Sequence, residues 1–239
     1  MAFSKLRYRH GLRDGFPIGL AYLSVSFGLG ISAAAKGIGI LPSVIISAVN
    51  LTSAGQLAGV DIIAAGGTLI EMMICQFVIN LRYCLMGLTL TQKLDETFTT
   101  PRRMLCSFFI TDEIFAVASS KNGLISDRYI YGLGTLPWVG WTLGTLLGAA
   151  AGSVLPASVS AALGIAIYGM FIGIIVPAAK KSAGILFAVL VSAALSCILK
   201  YVPLFSFISS GFAVIICSVP AAAAAALIFP VKEADENDG

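Results

Sequence analysis

Charge is scarce in this chain. Asp, Glu, Lys and Arg make up 11% of its 239 residues, where an ordinary soluble domain carries about 25%. With 58% hydrophobic residues and a mean hydropathy of +0.94, a water-soluble domain is excluded. The net charge of +3 is scattered in short clusters, so no nucleic-acid partner is expected. Histidine is nearly absent: His10 stands alone, which leaves no zinc site and no histidine proton relay. The five cysteines, Cys75, Cys84, Cys106, Cys197 and Cys217, lie in apolar segments without metal-ligand spacing and read as small hydrophobes. No HExxH zinc helix, GxSxG elbow or repeated acidic cluster for a magnesium-bound diphosphate is present. An intramembrane enzyme is therefore disfavoured, and no cofactor is implied.

What the chain has in abundance is long apolar runs. A helical span of the hydrocarbon layer takes roughly 20 such residues. About eight candidates run Pro17 to Ala35, Leu41 to Ile63, Thr68 to Leu90, Leu105 to Ser119, Tyr129 to Leu155, Val159 to Ala178, Gly184 to Leu199 and Phe205 to Phe229. Their continuity excludes a β-barrel, whose strands alternate apolar with polar. The expected fold is an all-α, polytopic membrane protein forming one transmembrane domain over residues 1–239, its partner the lipid bilayer, with a basic arm at 1–16 and an acidic tail at 231–239. The basic start imitates a secretory signal, but cleavage is not expected, because losing the first helix would disturb the packing of the rest.

Basic residues recur at Lys5, Arg7, Arg9 and Arg13, at Lys93, Arg102 and Arg103, at Lys121 and Arg128, and at Lys180 and Lys181. The positive-inside rule wants all of them cytoplasmic, together with the N-terminus. Eight complete crossings cannot meet that demand. It is met if the second and fourth stretches are broken or re-entrant. The second contains Asn50, Thr52, Ser53, Gly55, Gln56 and Gly59; the fourth spans about 15 residues with Asp112 and Glu113 at its centre. Irregular backbone at membrane depth is tolerated where protein or a water-filled cavity satisfies it, and secondary transporters build their sites around such breaks.

Within "VINLRYCLMG", Arg82 sits deep in an apolar helix close to Asn80. A guanidinium cannot shed its proton to escape burial, so a partner is required. Glu71 is eleven residues back, about 16 Å along a helix axis, and out of reach. Asp112 or Glu113 is the economical partner. Neighbouring helical positions point about 100° apart, so the other acid stays free to exchange a proton. Gln56 is expected to line a polar cavity, its amide able both to donate and to accept.

"SAGQLAG", "NLRYCLMGLTL" and "FFITDEIFAVAS", in this order and at these separations, resemble the AzlC-type large subunit of the branched-chain amino acid exporters, across nearly the whole chain. Tyr83 stands where that family usually has His, and Ser53-Ala54-Gly55-Gln56 where Gly-Ala-Ser-Gln is commoner. The resemblance implies proton-driven export of hydrophobic amino acids across a bacterial inner membrane with a small AzlD-type partner. A zwitterion needs a cation for its carboxylate, an acid for its ammonium and an apolar pocket. Ser53, Gly55, Gln56, Asn80 and Arg82 are the candidate substrate residues; Asp112, Glu113 and Glu71 are the candidates for proton coupling or ion pairing.

Gly140, Gly144, Gly148 and Gly152 recur every four residues and present a flat face for close approach of another helix, of this chain or of a partner. Trp138 and Trp141 read as members of an interfacial belt. A passive channel or scaffold subunit is the second reading, since energy coupling leaves no mark in the sequence.

Overall fold

The computed structural model describes residues 4, 6–152, 154–156, 158, 169, 172, 173 and 175–230. Much of the expected stretch Val159 to Ala178 and all of the 231–239 tail lie outside these residues. Among the described residues the protein is helical and has no strands. Four helices among the described residues are long and apolar enough to cross a membrane: Tyr8–Ala35, Leu69–Thr91, Ala183–Tyr201 and Gly211–Ile228.

The first helix, α1 (Tyr8–Ala35), starts nine residues ahead of the expected Pro17, so the second half of the expected basic arm is already helical. His10 accepts the Arg7 backbone N–H through Nδ1 at 3.1 Å, which replaces a bond the first turn lacks. The second stretch is two helices, α2 (Ile40–Val49) and α3 (Ser53–Ala64). Between them Asn50 and Thr52 are extended, and the Thr52 side chain accepts from the Gly55 N–H to start α3. Next comes α4 (Leu69–Thr91), capped by Thr68. The fourth stretch is also double: α5 (Thr100–Ser107), with Pro101 in its first turn, then α6 (Asp112–Ser119), capped by Thr111. Asp112 and Glu113 are therefore not mid-segment. They occupy the first turn of α6, where the helix dipole favours negative charge. Further along the chain come α7 (Asp127–Gly152), α8 (Ala183–Tyr201) and α9 (Ser210–Ile228).

Helices α1 and α7 run parallel and form the spine. A Cβ added at Gly11 would collide with the backbone around Leu133, at Gly19 with Leu136 and at Gly30 with Ala149, so the contacts climb both helices together. In the other direction, Gly140 faces Gly19, Gly148 faces Phe27, and Gly152 faces Ile31 and Ala34. The neighbour of the glycine face is thus α1 of the same chain. Between helices in lipid there is little hydrophobic drive, so stability rests on this close backbone approach.

Charge gathers at one end of the spine. Lys121 pairs with Asp14 at 2.8 Å, Arg102 with Asp127 at 2.9 Å, and Lys93 donates to the carbonyls of Ser119 and Lys121. The Ser4 N–H reaches Asp95 at 2.9 Å. At the other end, Lys36 after α1 pairs with Asp61 near the end of α3.

These anchors fix the course of the broken pairs. From the Lys36 end, α2 runs inward until Ser47 donates to Thr145 at 2.7 Å and the Trp138 indole to the Ala48 carbonyl at 2.9 Å; α3 then returns to Asp61. From the charged end, α5 runs inward until the Phe109 ring fills the space beside Gly134, and α6 returns to Ser119 beside Lys93. Two helical hairpins thus enter from opposite ends, and their tips approach each other beside the middle of α4.

Candidate substrate site

Between the two tips and α4 lies a cavity of about 230 Å³, lined in part by Asn50, Thr52, Asn80, Tyr83, Ser107 and Ile110. It is smaller than the roughly 300–1,000 Å³ of pockets for drug-sized ligands, a scale suited to a small metabolite. Its polar wall is a chain of amides. Thr52 donates to Asn80 Oδ1 at 2.9 Å, Asn80 Nδ2 to Gln76 Oε1 at 3.1 Å, and Gln76 Nε2 to the Gly55 carbonyl at 2.7 Å. Gln76 and Asn80 are four residues apart and so share one face of α4. Gly55 is required for this: a Cβ there would lie 2.6 Å from Gln76 Oε1.

Arg82 finds its acid. Its Nη1 lies 2.6 Å from Asp112 Oδ2, with the two side chains 40% and 42% exposed. The expected ion pair is present, but it borders open space rather than being sealed. The guanidinium also stands 5.1 Å from the centroid of the Tyr83 ring, a cation–π contact. Its Nε is buried without a hydrogen-bond partner. A buried orphan donor on a cation is costly unless something outside the protein accepts from it.

Glu113 has no cationic partner among the described residues. Its carboxylate meets the Tyr22 hydroxyl, which also lies 2.7 Å from Thr111 Oγ1. One hydroxyl carries one proton, so the arrangement has two states. When Glu113 is ionised, Tyr22 donates to it and accepts from Thr111. When Glu113 is protonated, the carboxyl can donate to Tyr22, which turns its own proton to Thr111.

Gln56 is placed differently from expectation. It is 1% exposed; Trp141 Nε1 donates to its Oε1 at 2.8 Å, and its Nε2 donates to Ser47 at 2.5 Å. Both ends of the amide are engaged inside the protein. Trp141 is likewise 1% exposed and stacks edge-on to Tyr22 at 5.3 Å, so it is a core residue rather than part of an interfacial belt. Ser53 opens α3, and of the five candidate substrate residues Asn80 alone lines the cavity. Glu71 is drawn elsewhere: buried near the start of α4, it accepts from Ser209 and from the Gly211 N–H at 2.9 Å, pinning the start of α9. Gln76, Tyr22 and Thr111 escaped the reading of the sequence, and Thr52 entered it only as part of the helix break. Gln76, four residues before Asn80, and Thr111, directly before two acids, were the signals available.

A protein-family profile described as AzlC protein matches residues 17–155. The chain is 30% identical over 218 residues to the inner membrane protein YgaZ of Escherichia coli, covering 88% of this chain and 87% of that one. An uncharacterized membrane protein of Archaeoglobus fulgidus is 30% identical over 175 residues, covering 72% of this chain and 76% of the other. No solved structure matches significantly. All three segments quoted above fall within the matched region, and the chain belongs to the AzlC family of membrane proteins.

Proposed function

We propose that this protein is a secondary transporter that exports branched-chain or other hydrophobic amino acids across the bacterial cytoplasmic membrane. The observation that carries the reading is the polar cavity where the two helix breaks meet, with Asn80 and Thr52 in its wall and the part-exposed Arg82–Asp112 ion pair next along α4 to the lining Tyr83. In this reading the part-exposed Arg82 guanidinium supplies the cation for a substrate carboxylate. Asn80 and Thr52 serve the polar end of the zwitterion, and Ile110 supplies apolar contact. Ser53, Gly55 and Gln56 act behind the cavity by shaping the α2–α3 break.

In the bilayer, α1 and α4 cross completely, α7 crosses with α1 because it packs along it, and the two hairpins are re-entrant from opposite faces. Arg13, Lys93, Arg102 and Lys121 then share the cytoplasmic side with the N-terminus. Glu113, tied to Tyr22 and not to a cation, is the proposed coupling acid, while Asp112 is held by Arg82. Glu71 holds α9 in place. Residues 1–239 act as one transmembrane domain, working with a small AzlD-type subunit.

Reconstitution tests this. Liposomes containing the chain with and without a small hydrophobic partner subunit are loaded with labelled leucine, and an inward proton gradient is imposed. Gradient-driven leucine efflux supports the exporter. Leucine movement that only runs downhill and ignores the gradient would make the chain a passive channel. No leucine movement with either preparation would end the reading.

A further inference from the structure

A second cavity, of about 220 Å³, lies between the end of α4 and α5. Leu90, Leu94, Phe98, Cys106 and Ile130 make it almost wholly apolar. It shares two wall residues, Ser107 and Ile110, with the polar cavity, so the two compartments are contiguous across that pair. Along α4 the lining residues Asn80, Tyr83, Gly87 and Leu90 (or Thr91) fall three or four apart and form one continuous stripe through both, which Leu94 extends just past the helix end. At Gly87 an added Cβ would meet nothing within 4 Å, so the missing side chain leaves the groove open rather than admitting a neighbour. That is the reverse of the glycines on α7.

One cation stands at the wall of this apolar space. Arg103 has no hydrogen-bond or ion-pair partner for its guanidinium among the described residues, whereas the adjacent Arg102 is held by Asp127. It belongs to the first turns of α5, at the charged end of the spine. An apolar compartment with an unpaired guanidinium beside it complements an apolar molecule that carries a carboxylate.

The geometry points to this groove as the inner vestibule of the transport route. An apolar amino acid is captured there with its carboxylate on Arg103 and its side chain against Leu90, Phe98 and Ile130. It then passes Ser107 and Ile110 into the polar cavity. Entry is thereby filtered for apolar side chains before the zwitterion reaches Arg82. The inference rests on the exporter reading and extends it to a second site. Towards the opposite end, the chain of hydrogen bonds from Thr52 through Asn80 and Gln76 to Gly55 stands between the polar cavity and a separate cavity beside Asp61, so the route is open toward the charged end and closed beyond.

The test uses the full chain in liposomes, with its partner subunit where flux requires it, and labelled leucine as the probe. Arg103→Gln should raise the internal leucine concentration for half-maximal export by about tenfold while the maximal rate stays within about twofold, and Arg103→Lys should recover much of the loss. A purely structural Arg103 would change yield and not this split. In a chain with Cys84, Cys106 and Cys197 replaced by Ser, Thr91→Cys should react with a membrane-impermeant thiol reagent from the charged side only, with leucine slowing the reaction. Unchanged half-saturation in Arg103→Gln overturns the vestibule. So does an effect of Arg103→Gln that appears only with anionic phospholipid in the liposomes, which would assign the groove to a lipid. In both cases leucine export by the unsubstituted chain persists. Its absence would instead strike the exporter reading itself.

Discussion

Arg82 Nη1 lies 2.6 Å from Asp112 Oδ2, which ties the middle of α4 to the first turn of α6. Arg82→Ala strands Asp112, and Asp112→Asn strands Arg82. Because the pair is part-exposed, each change should cost about 1–3 kcal/mol, less than the 3–5 of a sealed pair. The double variant should recover part of that loss in thermal unfolding in detergent. Arg82→Ala with Glu113→Gln should not. Recovery by the Glu113 change instead would mean that the pairing is wrong.

The Glu113 carboxylate meets the Tyr22 hydroxyl, and under the exporter proposal this pair carries the coupling proton. Glu113→Gln keeps much of the hydrogen bonding and removes the titration. It should leave leucine exchange within about threefold of normal and abolish export driven by a pH gradient. Tyr22→Phe should reduce gradient-driven export by roughly tenfold through loss of the relay partner. Full gradient-driven transport in Glu113→Gln would move the role to another acid.

Gln56 is satisfied by Trp141 and Ser47, so its effect should appear in stability before chemistry. Gln56→Leu leaves the Trp141 N–H buried and unpaired, at a cost of about 1–3 kcal/mol measurable as a lower melting temperature. A cysteine at Gln56 should resist water-soluble thiol reagents, while one at Asn80 should react and be protected by leucine. Equal reactivity at the two positions would place Gln56 on the cavity after all.

Gly148 has no room for a side chain, because the carbonyl of Phe27 occupies the space a Cβ would take. Gly148→Val should cut folded yield severely, with overpacking costing about 3 kcal/mol or more. Gly87→Ala, on an open face, should leave yield intact. Yield by gel filtration in mild detergent checks both.

The helix breaks were legible because Asn50, Thr52 and Gly55 interrupt an apolar run within six residues. The pairing of Arg82 was legible down to two acids, and no further. Choosing Asp112 required knowing that Thr111 caps α6, which sets the direction of each carboxylate. A Thr directly before two acids is a helix-start signal, and giving it more weight would have moved both acids from the centre of a segment to its first turn. The partners of Gln56 and Glu71 were out of reach for another reason. Trp141 lies 85 residues from Gln56, and Gly211 lies 140 residues from Glu71, so neither contact follows from local spacing. Tryptophan in a membrane chain suggests an interface by habit, and only the tertiary fold shows Trp141 turned inward.

The parallel spine also sets a timetable for biogenesis. Ser26 of α1 and Gly140 of α7 touch, yet 114 residues separate them. At roughly 5–20 residues per second of translation, α1 waits on the order of ten seconds in the bilayer before its glycine-faced partner leaves the ribosome. During that interval its small residues face lipid, or whatever insertion factor shelters them. Both hairpins are threaded before the spine can close over them. Nascent chains halted before Gly140 should therefore expose α1 to crosslinking with the insertion machinery, and chains extended past Gly152 should lose that crosslink as the two helices meet.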